Sequence, residues 1–101
     1  MAERRVSLHG EIDLANADKV KLALDYAVAT GCDVVVDCAE LTFVDSSGIH
    51  VLLDASQVLA RRHRRLRVEN VTGGPRRTIE LLGLAPVLNL DAPGDQLVVA
   101  D

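Results

Sequence analysis

Three consecutive valines, Val34-Val35-Val36, stand between Asp33 and Asp37, while the apolar residues on either side recur at helical spacing. A β-branched run this short, bounded by charge, is the mark of a strand covered on both faces in a parallel sheet. Upstream, Val20, Ala23, Leu24, Ala27 and Val28 fall at i, i+3, i+4, i+7 and i+8, one stripe of an amphipathic helix. Asn16 is placed to cap that helix and Gly31 to stop it. Downstream, Ile49, Leu52, Leu53, Ser56, Leu59 and Ala60 form a second stripe. A strand set between two helices reaches its sheet neighbours by crossovers, not hairpins.

The remaining segments extend the alternation. Residues 4–10 place Val6 and Leu8 two apart, a half-buried strand that Gly10 ends. A loop anchored by Leu41, Phe43 and Val44 leads to the second helix. Leu66-Arg67-Val68-Glu69-Asn70 alternates as a third strand, and Gly73-Gly74 breaks the chain after it. Pro75 suits the first turn of a short third helix that carries Ile79 and Leu82 and stops at Gly83. Val87-Leu88-Asn89-Leu90 is a fourth strand candidate. After the turn at 92–95, residues 96–100 fit a last strand or a frayed helix, and the paired Val98 and Val99 favour the strand. The expectation is an α/β fold: a mostly parallel sheet of four to five strands with three main helices, one domain over residues 1–101. With Tyr26 and Phe43 the only aromatics, its core must be built from Val, Leu, Ile and Ala.

Composition narrows function. No apolar run approaches the ~18 residues that cross a bilayer, and no basic-then-apolar leader follows Met1, so a soluble cytoplasmic protein with no membrane partner is expected. The net charge of −4 and the scarcity of aromatic stacking platforms argue against direct nucleic-acid binding. Charge is uneven: residues 1–60 hold ten acids and four bases, residues 61–85 seven bases and two acids. Arg61, Arg62, Arg64, Arg65 and Arg67 form the one basic cluster, which suits either the C-terminal turn of a helix or an anionic partner. Cys32 and Cys38 would lie ~20 Å apart along a strand, too far to bridge, and are expected reduced. Gly73-Gly74-Pro75 lacks the Lys-Ser/Thr of a phosphate loop, so no cofactor is expected. His9, His50 and His63 have no ligand at metal spacing. Ser47, His50 and an aspartate sketch a hydrolase on paper, but the chain has no Gly-x-Ser-x-Gly elbow, and no catalytic residue is expected.

The densest polar string is Asp45-Ser46-Ser47-Gly48, immediately ahead of the second helical stripe. Asp or Ser there caps orphan amides. The string also follows a strand's C-terminal end, where open α/β sheets place their sites, and a hydroxyl at a helix N-terminus tolerates a phosphate dianion.

Gly10-Glu11-Ile12-Asp13, the run from Asp37 through Phe43-Val44-Asp45-Ser46-Ser47-Gly48-Ile49-His50 to Leu53, and Thr78-Ile79-Glu80-Leu81-Leu82-Gly83-Leu84 resemble, in that order, the STAS domain of anti-anti-sigma factors. The resemblance implies a phosphorylation switch and not an enzyme. Ser47 matches the phosphoacceptor, with Ser46 the neighbouring cap hydroxyl. Asp13 and Asp45 match the flanking aspartates, and Gly48, Ile49 and His50 continue the partner-facing segment. Asp13 also reads simply as a turn or cap residue ahead of Asn16. The implied partners are an anti-sigma factor that is itself a serine kinase and a serine phosphatase that resets the switch. Both ends are shorter than the family's, which leaves a sheet edge open and a homodimer possible. Two other readings stay open: a STAS-type adaptor of a transporter or sensory complex without serine phosphorylation, and a small serine hydrolase using Ser47.

Overall fold

The computed structural model describes residues 2–91. Strand β1 (Glu3–Ile12), helix α1 (Ala17–Ala29), strand β2 (Asp33–Val44), helix α2 (Ser46–Arg61), strand β3 (Leu66–Glu69) and helix α3 (Gly73–Leu81) follow in order. The three strands form one parallel sheet in the order β1-β2-β3, so the α/β class and the three helices are as expected. No helix among the described residues is long and apolar enough to cross a membrane.

Sheet register explains the valine run. Val6, Val36 and Val68 share one row and Arg4, Val34 and Leu66 another. Val34, Val36 and Cys38 join Leu24, Val28, Leu52 and Leu59 in the core, where α1 and α2 pack on the sheet and on each other. Among the described residues, helices do not cover the opposite face as well. There, Val35 is buried between Arg5 and Arg67 of its own row, beneath a lattice of ion pairs. Arg5 contacts Asp37 (3.4 Å) and Glu69 (3.1 Å), and Arg67 contacts Glu69 (2.8 Å) and Glu3 (3.2 Å). A hydrogen bond from Asn70 and one from the Ala39 amide lead the causes that hold the Asp37 carboxyl below its usual range, and Arg67 does the same for Glu69.

Both long strands run further than their sequence patterns indicate. Gly10 does not end β1: at φ 69° it accommodates a register irregularity, and pairing resumes at Glu11↔Phe43 and Ile12↔Val44. The anchoring loop is therefore the second half of β2. Phe43 is 48% exposed and anchors nothing, whereas Leu41 and Val44 are buried. In the helices, Leu53 and Ser56 are only partly buried and Ala55 replaces them in the core, while Leu82 is 56% exposed. Asn16 precedes α1 without capping it: its Oδ1 accepts from the Asp13 amide (2.9 Å) and its Nδ2 donates to the Glu11 carbonyl (2.8 Å).

The expected fourth strand is absent. Residues 85–89 form a turn held by Leu88 N–H to Leu84 O (3.0 Å) and Leu90 N–H to Ala85 O (3.1 Å), with Asn89 left-handed at φ 51° and Leu88 fully buried. The segment nevertheless closes the β3 edge. Val68 N–H donates to Leu88 O (3.1 Å), Val68 O accepts from Asp91 N–H (3.3 Å), and Asn89 Nδ2 donates to Leu66 O (2.8 Å). One residue too many between Leu88 and Asp91 spoils regular pairing. The candidate strand at 96–100 lies outside the described residues.

The arginine cluster also has a local occupation. Arg64 Nε donates to Gly31 O (2.9 Å) and Arg62 Nη1 to Val28 O (3.5 Å), so two guanidiniums from beyond α2 satisfy carbonyls at the end of α1. Cys32 and Cys38 are both free thiols.

Candidate functional site

Parallel strands deliver their C-terminal ends to one side of the sheet. There β1 ends in Ile12-Asp13 and β2 in Val44-Asp45, joined by Asp45 N–H to Ile12 O (3.1 Å). Asp13 and Asp45 are thereby neighbours although 32 positions separate them in sequence. The chain then turns into α2, whose first turn carries Ser46, Ser47 and Gly48.

Asp45 caps this helix. Its Oδ1 accepts from Ser47 N–H (2.8 Å) and Gly48 N–H (3.4 Å), while its carbonyl accepts from Ile49 N–H (3.1 Å). The expected capping role of Ser46 is thus filled by Asp45, and Ser46 is exposed. Ser47 is half-buried on the first turn. The carboxylate already holds two of the amides that a phosphate on its hydroxyl would otherwise use, so such a phosphate meets fixed negative charge first.

Gly48 is buried for a steric reason that the sequence did not disclose. A β-carbon there would lie 2.6 Å from Val44 Cγ2 and 2.8 Å from Ile12 Cγ2. Glycine lets the first turn of α2 sit flush on the ends of both strands, which fixes the height of Ser47 above the sheet. Ile49, 2% exposed, is a core anchor beneath the site and presents no surface to a partner, whereas His50 is exposed.

Asp13 takes the local role that its position before Asn16 allows. Its Oδ1 accepts from Ala15 N–H (2.9 Å) and its carbonyl from the amides of Asn16 (3.1 Å) and Ala17 (2.9 Å). The turn so formed folds its carboxylate back onto the Ala15 amide at the end of β1. Two further residues at this end carry no functional reading in the sequence pattern: Leu14, 80% exposed, and Phe43, paired in register with Glu11. Leu14 falls outside the helical stripe, which is the one sequence signal that it faces outward. Among the described residues, no three His, Cys, Asp or Glu side chains converge on a possible metal position.

Three comparisons bear on this geometry. The family profile described as Mlab, STAS domain matches residues 1–90. The anti-sigma-B factor antagonist of Listeria monocytogenes is 33% identical over 82 residues, covering 80% of this chain and 72% of that protein. Among solved structures, an anti-sigma factor antagonist from Mycobacterium paratuberculosis superposes with a TM-score of 0.79 at 28% identity, over 90% of this chain and 78% of that one. The Bacillus cell fate determinant SpoIIAA in its phosphorylated form shares the fold, with a TM-score of 0.66 at 22% identity over 90% of this chain and 84% of that one.

Proposed function

The chain belongs to the STAS domain family, and from that premise we propose that it is an anti-sigma factor antagonist switched at Ser47. Unphosphorylated, it binds an anti-sigma factor and so releases a sigma factor. The anti-sigma factor, acting as a serine kinase, phosphorylates Ser47 and ends the complex, and a serine phosphatase restores it. The chain binds and is modified; it is not itself an enzyme.

One observation carries this reading: Ser47 opens a helix whose amides are held by Asp45, at the strand ends where Asp13 follows β1 one strand away. A phosphate adds about −1.5 to −2 charges beside the Asp45 carboxylate, at strand ends that also carry Asp13. The helix stays anchored from below by Ile49 and Leu52. The charge of the surface therefore changes while its backbone does not, which suits a switch that abolishes docking without unfolding. Relatives named as antagonists, and a neighbour of the same fold known in a phosphorylated form, support the assignment.

The test is incubation with an anti-sigma kinase of the same organism and ATP, read by intact mass, alongside calorimetric titration of the complex. Ser46→Ala accepts one phosphate, Ser47→Ala accepts none and still binds, and Ser47→Asp binds more weakly. Phosphate on Ser47→Ala, or full affinity in the phosphorylated protein, would defeat the proposal.

A further inference from the structure

The two edges of the sheet are treated differently. The β3 edge is closed by residues 88–91, whereas among the described residues nothing pairs with the outer edge of β1, a ten-residue strand. Which groups that edge offers follows from the register. Val68 directs both its N–H and its C=O away from β2. Val6 shares its row and strand direction, so its groups point the same way, into β2. By alternation, the backbone groups of Glu3, Arg5 and Ser7 face the open edge. Over that edge, Arg4, Arg5, Val6, Ala23, Tyr26 and Ala27 line a groove of about 420 Å³. On α1, Lys19, Leu22, Ala23 and Tyr26 fall at i, i+3, i+4 and i+7. Leu22 and Tyr26 are 72% and 79% exposed, an apolar stripe that the protomer leaves unpartnered.

We propose that a second copy of this chain occupies the edge, β1 pairing antiparallel with the partner's β1 about a two-fold axis at Val6 to give one continuous six-stranded sheet. Charge selects the register. Centring on Arg5 sets Arg5 against Arg5, and centring on Ser7 sets Glu3 against Glu11. Centring on Val6 instead places Arg5 opposite Ser7, Arg4 opposite Leu8 and Glu3 opposite His9, with no like charges facing. The helices fit the same operation. Because α1 contacts both β1 and β2, extending the sheet by one spacing sets the two copies of α1 about two strand spacings apart, ~10 Å. That is the packing distance of helices, and it covers Leu22, Ala23 and Tyr26. The Ser47 end of each protomer stays open, so this inference does not rest on the phosphorylation reading.

Light scattering and sedimentation on the whole chain test it. The expected mass is twice 10.9 kDa at ~100 μM, with dissociation on dilution. Hydrogen exchange should show the Arg5 and Ser7 amides protected in the dimer and released in the monomer. Ser7→Pro leaves the β1–β2 ladder intact because its N–H faces outward, and by removing a donor twice it should raise the dimer Kd by ~10–100-fold. Tyr26→Glu, on an exposed helix position, provides a second variant that must also weaken the dimer. A monomer throughout that range, a dimer indifferent to both substitutions, or Arg5 and Ser7 amides protected in the monomer, as they would be if another segment of the chain lay on the edge, would overturn the proposal.

Discussion

Replacing Gly48 by alanine tests whether the position of Ser47 is set by close packing. The added methyl would meet Val44 Cγ2 at 2.6 Å and Ile12 Cγ2 at 2.8 Å, where carbon atoms prefer ~3.5–4.0 Å, so α2 or the strand ends must give by ~1 Å. Neither Val44 nor Ile12 turns aside cheaply, because β-branched side chains are stiff at χ1 and both are buried. Overpacking of this kind costs ~1–3 kcal/mol. Against it stands a helix-propensity gain of at most ~1 kcal/mol, so a net loss between ~0 and ~3 kcal/mol is expected, its upper part a drop of several degrees in Tm for a domain of this size. Urea melts of Gly48→Ala, Val44→Ala and the double variant read it directly. The valine change alone opens a cavity, but in the double variant it relieves the 2.6 Å contact, so the two losses should sum to more than the loss observed. Strictly additive losses would refute the flush seating of α2.

Other consequences are as specific. Asp45→Ala should cost ~0.5–2 kcal/mol and Ser46→Ala much less, since the carboxylate holds the amides; equal losses in urea melts would contradict the assignment of the cap. Asp37 and Glu69 titrate below the ordinary carboxylate range, so the stability they contribute is complete above pH ~4–5 and is lost as pH falls through their lowered values. Arg67→Gln should lessen the Glu69 part of that acid-induced loss in melts compared between pH 7 and pH 3, and an unchanged pH profile would remove the Arg67–Glu69 pair from the account. Burial pushes the Cys38 thiol up to about 12, so Ellman's reagent at pH 8 should titrate only the half-buried Cys32 in folded protein and both thiols in urea; rapid reaction of both in the native state would contradict the burial of β2.

The elements are legible wherever the signal is periodic. The helical stripes that contain Leu24 and Leu52 mark α1 and α2, and Val34-Val35-Val36 marks the centre of the sheet. What stays hidden depends on partners distant in sequence. Asp37 and Glu69 look like solvated charges until register brings Arg5 and Arg67 between them over Val35. Gly10 reads as a stop because a lone glycine does not reveal whether a strand ends or bulges. Leu88 and Leu90 alternate like a strand, yet the backbone turns at Asn89 to bury Leu88, and side-chain and main-chain bonds from the same few residues close β3. At the candidate site, the polar string Asp45-Ser46-Ser47 is evident from its residue types. The division of labour within it is not, because a carboxylate and a hydroxyl make equally good caps on paper.

That division bears on how the proposed switch would work. Had Ser46 or Ser47 capped α2, a phosphate would compete with the bond that holds the helix start, and modification would loosen the surface it is meant to relabel. With Asp45 as the cap and Gly48 seated on Ile12 and Val44, neither hydroxyl is required for the helix to begin. The same carboxylate also sets a fixed negative charge beside the Ser47 side chain, so a phosphate cannot settle onto the Ser47 and Gly48 amides without displacing it. In the proposed switch a dianion would therefore turn outward, toward the exposed surface around Ser46 and His50, where a docking partner would meet it. An Asp45→Asn variant separates the two roles of this residue. The amide oxygen still caps the helix, so stability should be nearly kept, while the phosphate gains access to the first-turn amides. Phosphorylated Asp45→Asn should then retain more affinity for the anti-sigma partner than phosphorylated parent protein does. Equal loss of affinity in the two would show that the charge of Asp45 takes no part in the switch.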